Sequence, residues 1–377
     1  MAYVTVSMLL LLVVPGTQAA GKEPGNNFPL GKGKVPAIFT FGDSTVDSGT
    51  NTFLPDPAFL ANFTPYGQTY FHRPTGRFCD GRLWVDRLAR YLDLPVMKAF
   101  LNPKTTDYSK GVDFASAGSG NLESTKATVK SLTKGNVANT DEQLQWFLQV
   151  KESLVGSIGA KATEKLLGRS IFILSTGNND ISYGYILNST MTELYTPDQV
   201  TSLMIEAIYN TTKTLFDEGA RKIVLSALGP LGCLPTNVAS NNGSCVESVN
   251  NLVKLFNSKL PALLDRINAN CEGARVIYTD SYDTVEGFIK NGTEYGFSRG
   301  SYGCCGTGDY NGQPGACGSV DVNGTALYNL CSKEELKEYV FWDNAHITDK
   351  TNGILAHMFI NGENVVVKPY NISALCD

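Results

Sequence analysis

Five short runs rich in β-branched and aromatic residues, at 35–41, 111–114, 170–175, 221–227 and 274–280, punctuate the chain. Longer stretches with helical spacing, such as 141–150, 198–218 and 245–267, lie between them. Strands that alternate with helices are joined by crossovers, and crossovers make neighbouring strands parallel. A parallel sheet is stable only with helices covering both faces, so an α/β fold is expected. In open sheets of this kind reactive residues collect just past the carboxyl ends of strands. Those strand exits are the places to search for chemistry.

The chain of 377 residues, 42% hydrophobic and 18% charged, is long enough to bury a large core. Length alone allows two domains. No linker, charge run or internal repeat divides the chain, however, and a single domain over residues 21–377 is expected. The net charge of −5 comes from 36 acids and 31 bases spread along the sequence. That pattern lacks the basic stripe of a nucleic-acid binder, so no nucleic-acid partner is expected.

An uncharged apolar run at 4–14 is broken by Pro15 and Gly16 and followed by the small residues Ala19 and Ala20. This is the pattern of a secretory signal over residues 1–20, although the usual positive leading segment is missing. The run is about half of the ~20 residues a bilayer span needs, so secretion without a stable membrane anchor is expected. Nine cysteines fit an oxidising compartment. Four of them (Cys304, Cys305, Cys317 and Cys331) crowd into a Gly-rich stretch where covalent closure would help a long loop. Zinc is the competing use of such a cluster, but no histidine stands nearby at ligand spacing. Disulfides are therefore expected, with at least one cysteine left over from the odd count. Seven N-x-S/T sequons, at Asn62, Asn188, Asn210, Asn242, Asn291, Asn323 and Asn371, suit N-glycosylation.

Three strand exits carry unusual residues. The first run leads into Gly42-Asp43-Ser44, the second into Ala115-Ser116-Ala117-Gly118, and the third into Gly177-Asn178-Asn179-Asp180. Near the carboxyl end, Tyr339-Val340-Phe341-Trp342 leads into Asp343-Asn344-Ala345-His346. Each segment alone is ordinary, because Ser, Asn and Asp after a strand are common turn and cap residues. Together they supply every part of a serine-nucleophile site. A serine hydroxyl attacks only when a base takes its proton. Of the three histidines, His357 sits in an apolar helical stretch and reads as a core residue, and His72 in a loop lacks a carboxylate at useful spacing. His346 has Asp343 three residues back, close enough to hold one ring nitrogen while the other faces Ser44. The N–H groups of Ser44 and Gly118 and the side-chain amide of Asn179 could stabilise an oxyanion. Glycine at 118 leaves room for a backbone donor to approach substrate.

These residues resemble the motifs of a plant-type GDSL esterase/lipase of the SGNH hydrolase superfamily. Residues 41–49 match the first block, with Thr45 where Leu often stands; Gly118 matches the second, Asn179 the third and Asp343-x-x-His346 the fifth. Residues 76–82, 228–235 and 304–306 are also similar, and the likeness runs from about 35 to 355. Asp113 stands where that family commonly has Asn, a position that shapes the loop. The resemblance implies a three-layer α/β/α sandwich, flavodoxin-like, with a five-stranded parallel sheet. It implies Ser44, Asp343 and His346 as catalytic residues, an oxyanion hole of Ser44, Gly118 and Asn179, and no cofactor or metal. Asp43, Asp47, Asn51 and Asp180 are expected to hold loops around the site. The implied activity is hydrolysis of small-molecule or lipid esters by a plant protein that is extracellular, apoplastic or vacuolar. Transfer of the acyl group to an alcohol is the alternative, as relatives do, and a non-catalytic binding or defence protein on the same fold is a third reading.

Overall fold

The computed structural model describes residues 35–362 and 367–376; the expected signal segment lies outside them. Five parallel strands form the sheet: β1 (Ile38–Gly42), β2 (Gly111–Asp113), β3 (Ile171–Ser175), β4 (Lys222–Ser226) and β5 (Arg275–Thr279). They are the five runs anticipated from sequence, trimmed at their ends. A sixth strand, β6 (Val367–Lys368), pairs antiparallel with β5, giving the order β6-β5-β4-β3-β1-β2. Two residues are too short to show a period of two, so this edge was invisible in the sequence.

Alternate strand residues enter separate cores. Phe39, Phe41, Phe172, Leu174, Ile223 and Leu225 point to one face, and Ile38, Ile171, Ile173, Val224 and Ile277 to the other. The first face is covered by α2 (Thr140–Ile158), α3 (Pro197–Asp217), α4 (Glu247–Ser258) and α5 (Leu260–Asn270). The second is covered by α1 (Trp84–Tyr91) and α6 (Asp349–Asn361). The result is the three-layer sandwich. Local sequence sets several boundaries. Asn139 caps α2 with Glu142 returning the bond, and Thr196 does the same for α3 with Gln199, with Pro197 at the first helical turn. The stretch 245–267, which reads as one helix, is two, because Pro261 has no N–H to continue the ladder from α4.

The order β2-β1-β3-β4-β5 reverses direction between β1 and β3, which pair directly from Ile38↔Ile171 to Gly42↔Ser175. Loops leaving two strands at such a reversal diverge and open a crevice at their carboxyl ends. Ser44 follows β1 and Asn179 follows β3.

Candidate active site

The loop that carries Ser44 begins with an enforced glycine. Gly42 has φ +139°, and a Cβ there would fall 1.8 Å from the Ser175 carbonyl oxygen, so only glycine lets β1 run this close to β3 at its end. Above it, Asp43 ties the two loops together. Its carboxylate accepts from the Thr45 N–H (3.0 Å) and hydroxyl (2.7 Å) and from the Asn178 amide (2.9 Å). Burial raises its proton affinity, and these bonds offset part of the rise. Ser44 is left half-exposed at the turn.

The Asp343-x-x-His346 segment is a turn wound around its own carboxylate. Asp343 Oδ1 accepts the N–H groups of Ala345 (2.9 Å) and His346 (2.7 Å), and the His346 carbonyl accepts the Trp342 N–H. The short strand Tyr339–Phe341 that carries it pairs with Arg299–Gly303 rather than with the main sheet. His346 Nδ1 then lies 2.9 Å from both Asp343 oxygens, and Nε2 lies 2.8 Å from Ser44 Oγ. Burial would raise the proton affinity of Asp343, but His346, the backbone donors and Tyr66 outweigh it and leave the carboxyl below its usual range. The Phe78 ring packs 4.8 Å from the imidazole. Its loop is fixed by a buried, two-pronged Arg77–Asp86 pair (2.8 and 2.7 Å) and by Arg82 on Asp349.

Gly118 has φ +86°, and a Cβ there would lie 2.4 Å from the Phe59 ring. Asp47 and Asn51 grip the preceding residues: Asp47 accepts the Ala117 N–H (2.9 Å), and Asn51 donates to the Ala117 carbonyl (2.9 Å) while accepting from Ser116 Oγ (2.6 Å). Asn179 Nδ2 donates to the Ser119 carbonyl at 2.8 Å, leaving its second hydrogen available. Among the described residues, the N–H groups of Ser44 and Gly118 take no protein acceptor. Asn179 opens a π-helical segment, Asp180–Ile186, a rare geometry that is frequent at functional sites. Asp180 holds that segment to the neighbouring loop, accepting from Asn121 N–H, Leu122 N–H and Thr125 Oγ.

Asp113 is fully buried beneath the Ser44 loop. Its oxygens accept from Thr40 Oγ (2.5 Å), Ala115 N–H (3.0 Å), Ser48 N–H (2.6 Å) and Ser48 Oγ (2.7 Å), lacing β1, β2 and the loop together. Burial, reinforced by nearby Asp47, pushes it up to about 7. The expected core role of His357 is not what the structure shows. The ring is half-buried on α6, beside Asn361 at 3.2 Å. His72 is exposed, with Nδ1 3.2 Å from the Gln68 carbonyl.

Sequence reasoning missed two residues here. Gln143 of α2 reads both sides of Gly42: its Oε1 accepts the Gly42 N–H (2.8 Å) and its Nε2 donates to the Gly42 carbonyl (2.9 Å). The available signal was a glutamine on the buried face shared with Leu144, Phe147, Val150 and Leu154. Tyr66, in a loop before α1, donates its phenol proton to Asp343 Oδ2 at 2.8 Å, and nothing local marked it.

Among the described residues, no group of three or more His, Cys, Asp or Glu stands together to hold a metal ion, and no helix is long and apolar enough to cross a membrane. A hollow of about 600 Å³ lined by Asn242, Tyr302, Asp309 and Tyr310 includes none of the residues above. Among the described residues three disulfides close loops, Cys233–Cys245, Cys304–Cys331 and Cys305–Cys317, and Cys79 and Cys271 are buried thiols outside these bridges.

Comparison with known proteins gives a consistent answer. Residues 38–359 match the family model of the GDSL-like lipase/acylhydrolases. The chain is 33% identical to GDSL esterase/lipase 6 of Arabidopsis thaliana over 377 residues, covering 97% of this chain and 95% of that one. GDSL esterase/lipase 5 of the same plant is 32% identical, over 98% and 96% of the two chains. GDSL esterase/lipase 7 is 34% identical, over 86% and 87%.

Proposed function

This chain belongs to the GDSL-like lipase/acylhydrolase family, and on that premise we propose that it hydrolyses carboxylic esters through an acyl-enzyme on Ser44. The observation that carries this reading is the 2.8 Å contact between Ser44 Oγ and His346 Nε2, with Asp343 2.9 Å behind the ring. Ser44 Oγ attacks the ester carbonyl carbon as His346 Nε2 takes its proton. Asp343 steadies the imidazolium and fixes its tautomer. The carbonyl oxygen becomes an oxyanion facing the N–H groups of Ser44 and Gly118 and the Asn179 amide. Collapse breaks the bond to the leaving alcohol, which takes the proton from His346. Water then attacks the acyl-enzyme, gives a proton to the same nitrogen, and releases the acid and free Ser44.

The substrate is a small-molecule or lipid ester, and the protein works after secretion as a single domain. The apolar run before Pro15 and three disulfides support that compartment. Five of the seven sequon asparagines (Asn62, Asn210, Asn242, Asn291 and Asn323) are exposed and suited to N-glycans. The test is a panel of acyl esters turned over with and without added alcohols, with a fluorophosphonate probe reporting the labelled residue. Acid release with Ser44 labelled supports hydrolysis, ester exchange makes an alcohol the preferred acceptor, and no turnover by a folded protein rejects the reading.

A further inference from the structure

Asp343 has two oxygens held by different means. Oδ1 accepts two backbone N–H groups from the turn that Asp343 itself nucleates. Oδ2 lies 2.9 Å from the imidazole, and Tyr66 is its one other donor among the described residues, at 2.8 Å. The two residues are 277 positions apart, and each is at most 6% exposed. Around the phenol stand the rings of Phe63, Phe78 and Trp342, with centroids 5.4, 6.0 and 6.0 Å away. Phe63 and Phe78 carry no polar hydrogen, and the indole N–H of Trp342, buried and without a partner among the described residues, is not bonded to Oδ2 in this arrangement. A carboxylate oxygen stripped of its donor in such surroundings leans more heavily on the adjacent imidazolium.

We propose that Tyr66 is a positioning residue for the reaction, acting through Asp343: its phenol fixes the plane of the carboxylate and withdraws charge from Oδ2. This rests on the roles proposed above for Ser44, His346 and Asp343. Two consequences follow from the chemistry. A fixed plane keeps His346 Nε2 aimed at Ser44 Oγ, which affects kcat and not substrate binding. Withdrawn charge makes Asp343 a weaker partner for the protonated ring, so the base stays free to lower pH. Burial and the Asp343 charge hold the phenol proton in place well above the usual range, so Tyr66 remains a donor throughout.

Tyr66→Phe removes one oxygen and keeps the ring packing. The expected result is a kcat lower by about tenfold with KM unchanged, and an acid limb of the kcat/KM profile moved to higher pH by about half a unit. Because Tyr66→Phe could fail to fold, the second arm replaces Tyr66 alone with a ring-fluorinated tyrosine, a stronger donor of the same shape. Its acid limb moves the opposite way, to lower pH. Opposite displacements by the two variants support the positioning role. An unmoved acid limb in either folded variant, whatever happens to melting temperature, overturns it. Ser44→Ala is measured alongside. Loss of activity there with unmoved limbs rejects Tyr66 alone, and retained activity rejects the Ser44 mechanism on which the proposal stands.

Discussion

His346 Nε2 lies 2.8 Å from Ser44 Oγ although 302 residues separate the two in the chain. The serine leaves the central sheet at β1, and the histidine sits on a turn outside that sheet, packed against the Phe78 ring of the loop at 76–82. Arg82 and Arg87 both reach Asp349 at the start of α6, which ties the segment just after His346 to that loop and to α1.

In the proposed mechanism, removing the Ser44 hydroxyl removes the attacking atom. Ser44→Ala is expected to lower kcat by on the order of 10⁶ while the melting temperature stays near that of the wild type, since the side chain is half-exposed. Fluorophosphonate labelling of the native protein, read by peptide mass spectrometry, should mark Ser44. Labelling elsewhere, with full activity in the alanine variant, would remove the mechanism.

The histidines separate cleanly. His346→Ala is expected to cost nearly as much as loss of Ser44. His357→Ala should leave kcat intact, because its ring stands on α6 beside Asn361. Asp343→Asn presents an amide to Nδ1 and favours the wrong tautomer, with an expected loss of about 10⁴-fold in kcat. Steady-state kinetics on the three variants checks the ranking, and equal tolerance of the two alanine substitutions would contradict it.

The proposed oxyanion donors are expected to be worth less. Asn179→Ala should lower kcat by about 10²–10³-fold with little change in KM. Gly118→Ala meets two obstacles, a φ of +86° and the Phe59 ring 2.4 Å from the new methyl. It should therefore reduce activity and melting temperature together. Phe59→Ala in the same chain relieves only the steric part. An Asn179→Ala effect confined to KM would make Asn179 a ground-state binding residue.

Three buried carboxyls should set an unusual pH dependence of stability. Burial pushes Asp47 and Asp80 up to about 6 and Asp113 up to about 7, with Asp349 adding to the effect on Asp80 and Asp47 to that on Asp113. An unfolded Asp titrates near ~3.9, so the folded state holds these protons more tightly. Their contribution to stability is fully present below ~3.9 and lost as pH rises through 6 to 7. Asp343 and Asp349 are shifted downward, so their contribution is present above ~3.9 and lost as pH falls below it. The melting temperature is therefore expected to climb as pH drops from 8 toward 5 and to fall again below about 4. Asp113→Asn should flatten the slope between 6 and 8. A melting temperature that rises steadily from pH 5 to 8 would show these carboxyls ionised in the fold.

Covalent closure gives a further check. Reductant should lower the melting temperature, since the Cys304–Cys331 and Cys305–Cys317 bridges close loops of 27 and 12 residues around the stretch that precedes the His346 turn. Alkylation without reductant should spare Cys79 and Cys271, which burial protects until unfolding. Nine alkylated cysteines in the native protein would contradict the bridged structure.

Local sequence was enough to place every group whose position depends on its own strand or turn. The five parallel strands announced themselves as apolar runs because a strand buried on both faces has no polar alternation to hide it. Ser44, Gly118 and Asn179 were legible as strand exits, and Asp343 and His346 as one turn. Each requires only that a short segment adopt its preferred conformation. Which segments meet is a different matter. Tyr66 and Gln143 are ordinary residues in an ordinary loop and helix, and they gain their roles only where folding sets them against Asp343 and Gly42. The same holds for the two-residue β6 and for His357, whose apolar neighbours suggested a core place that the rotation of α6 does not give it. Contacts across hundreds of residues depend on how helices pack on the sheet. That packing is decided by the whole core at once, so no window of sequence carries it.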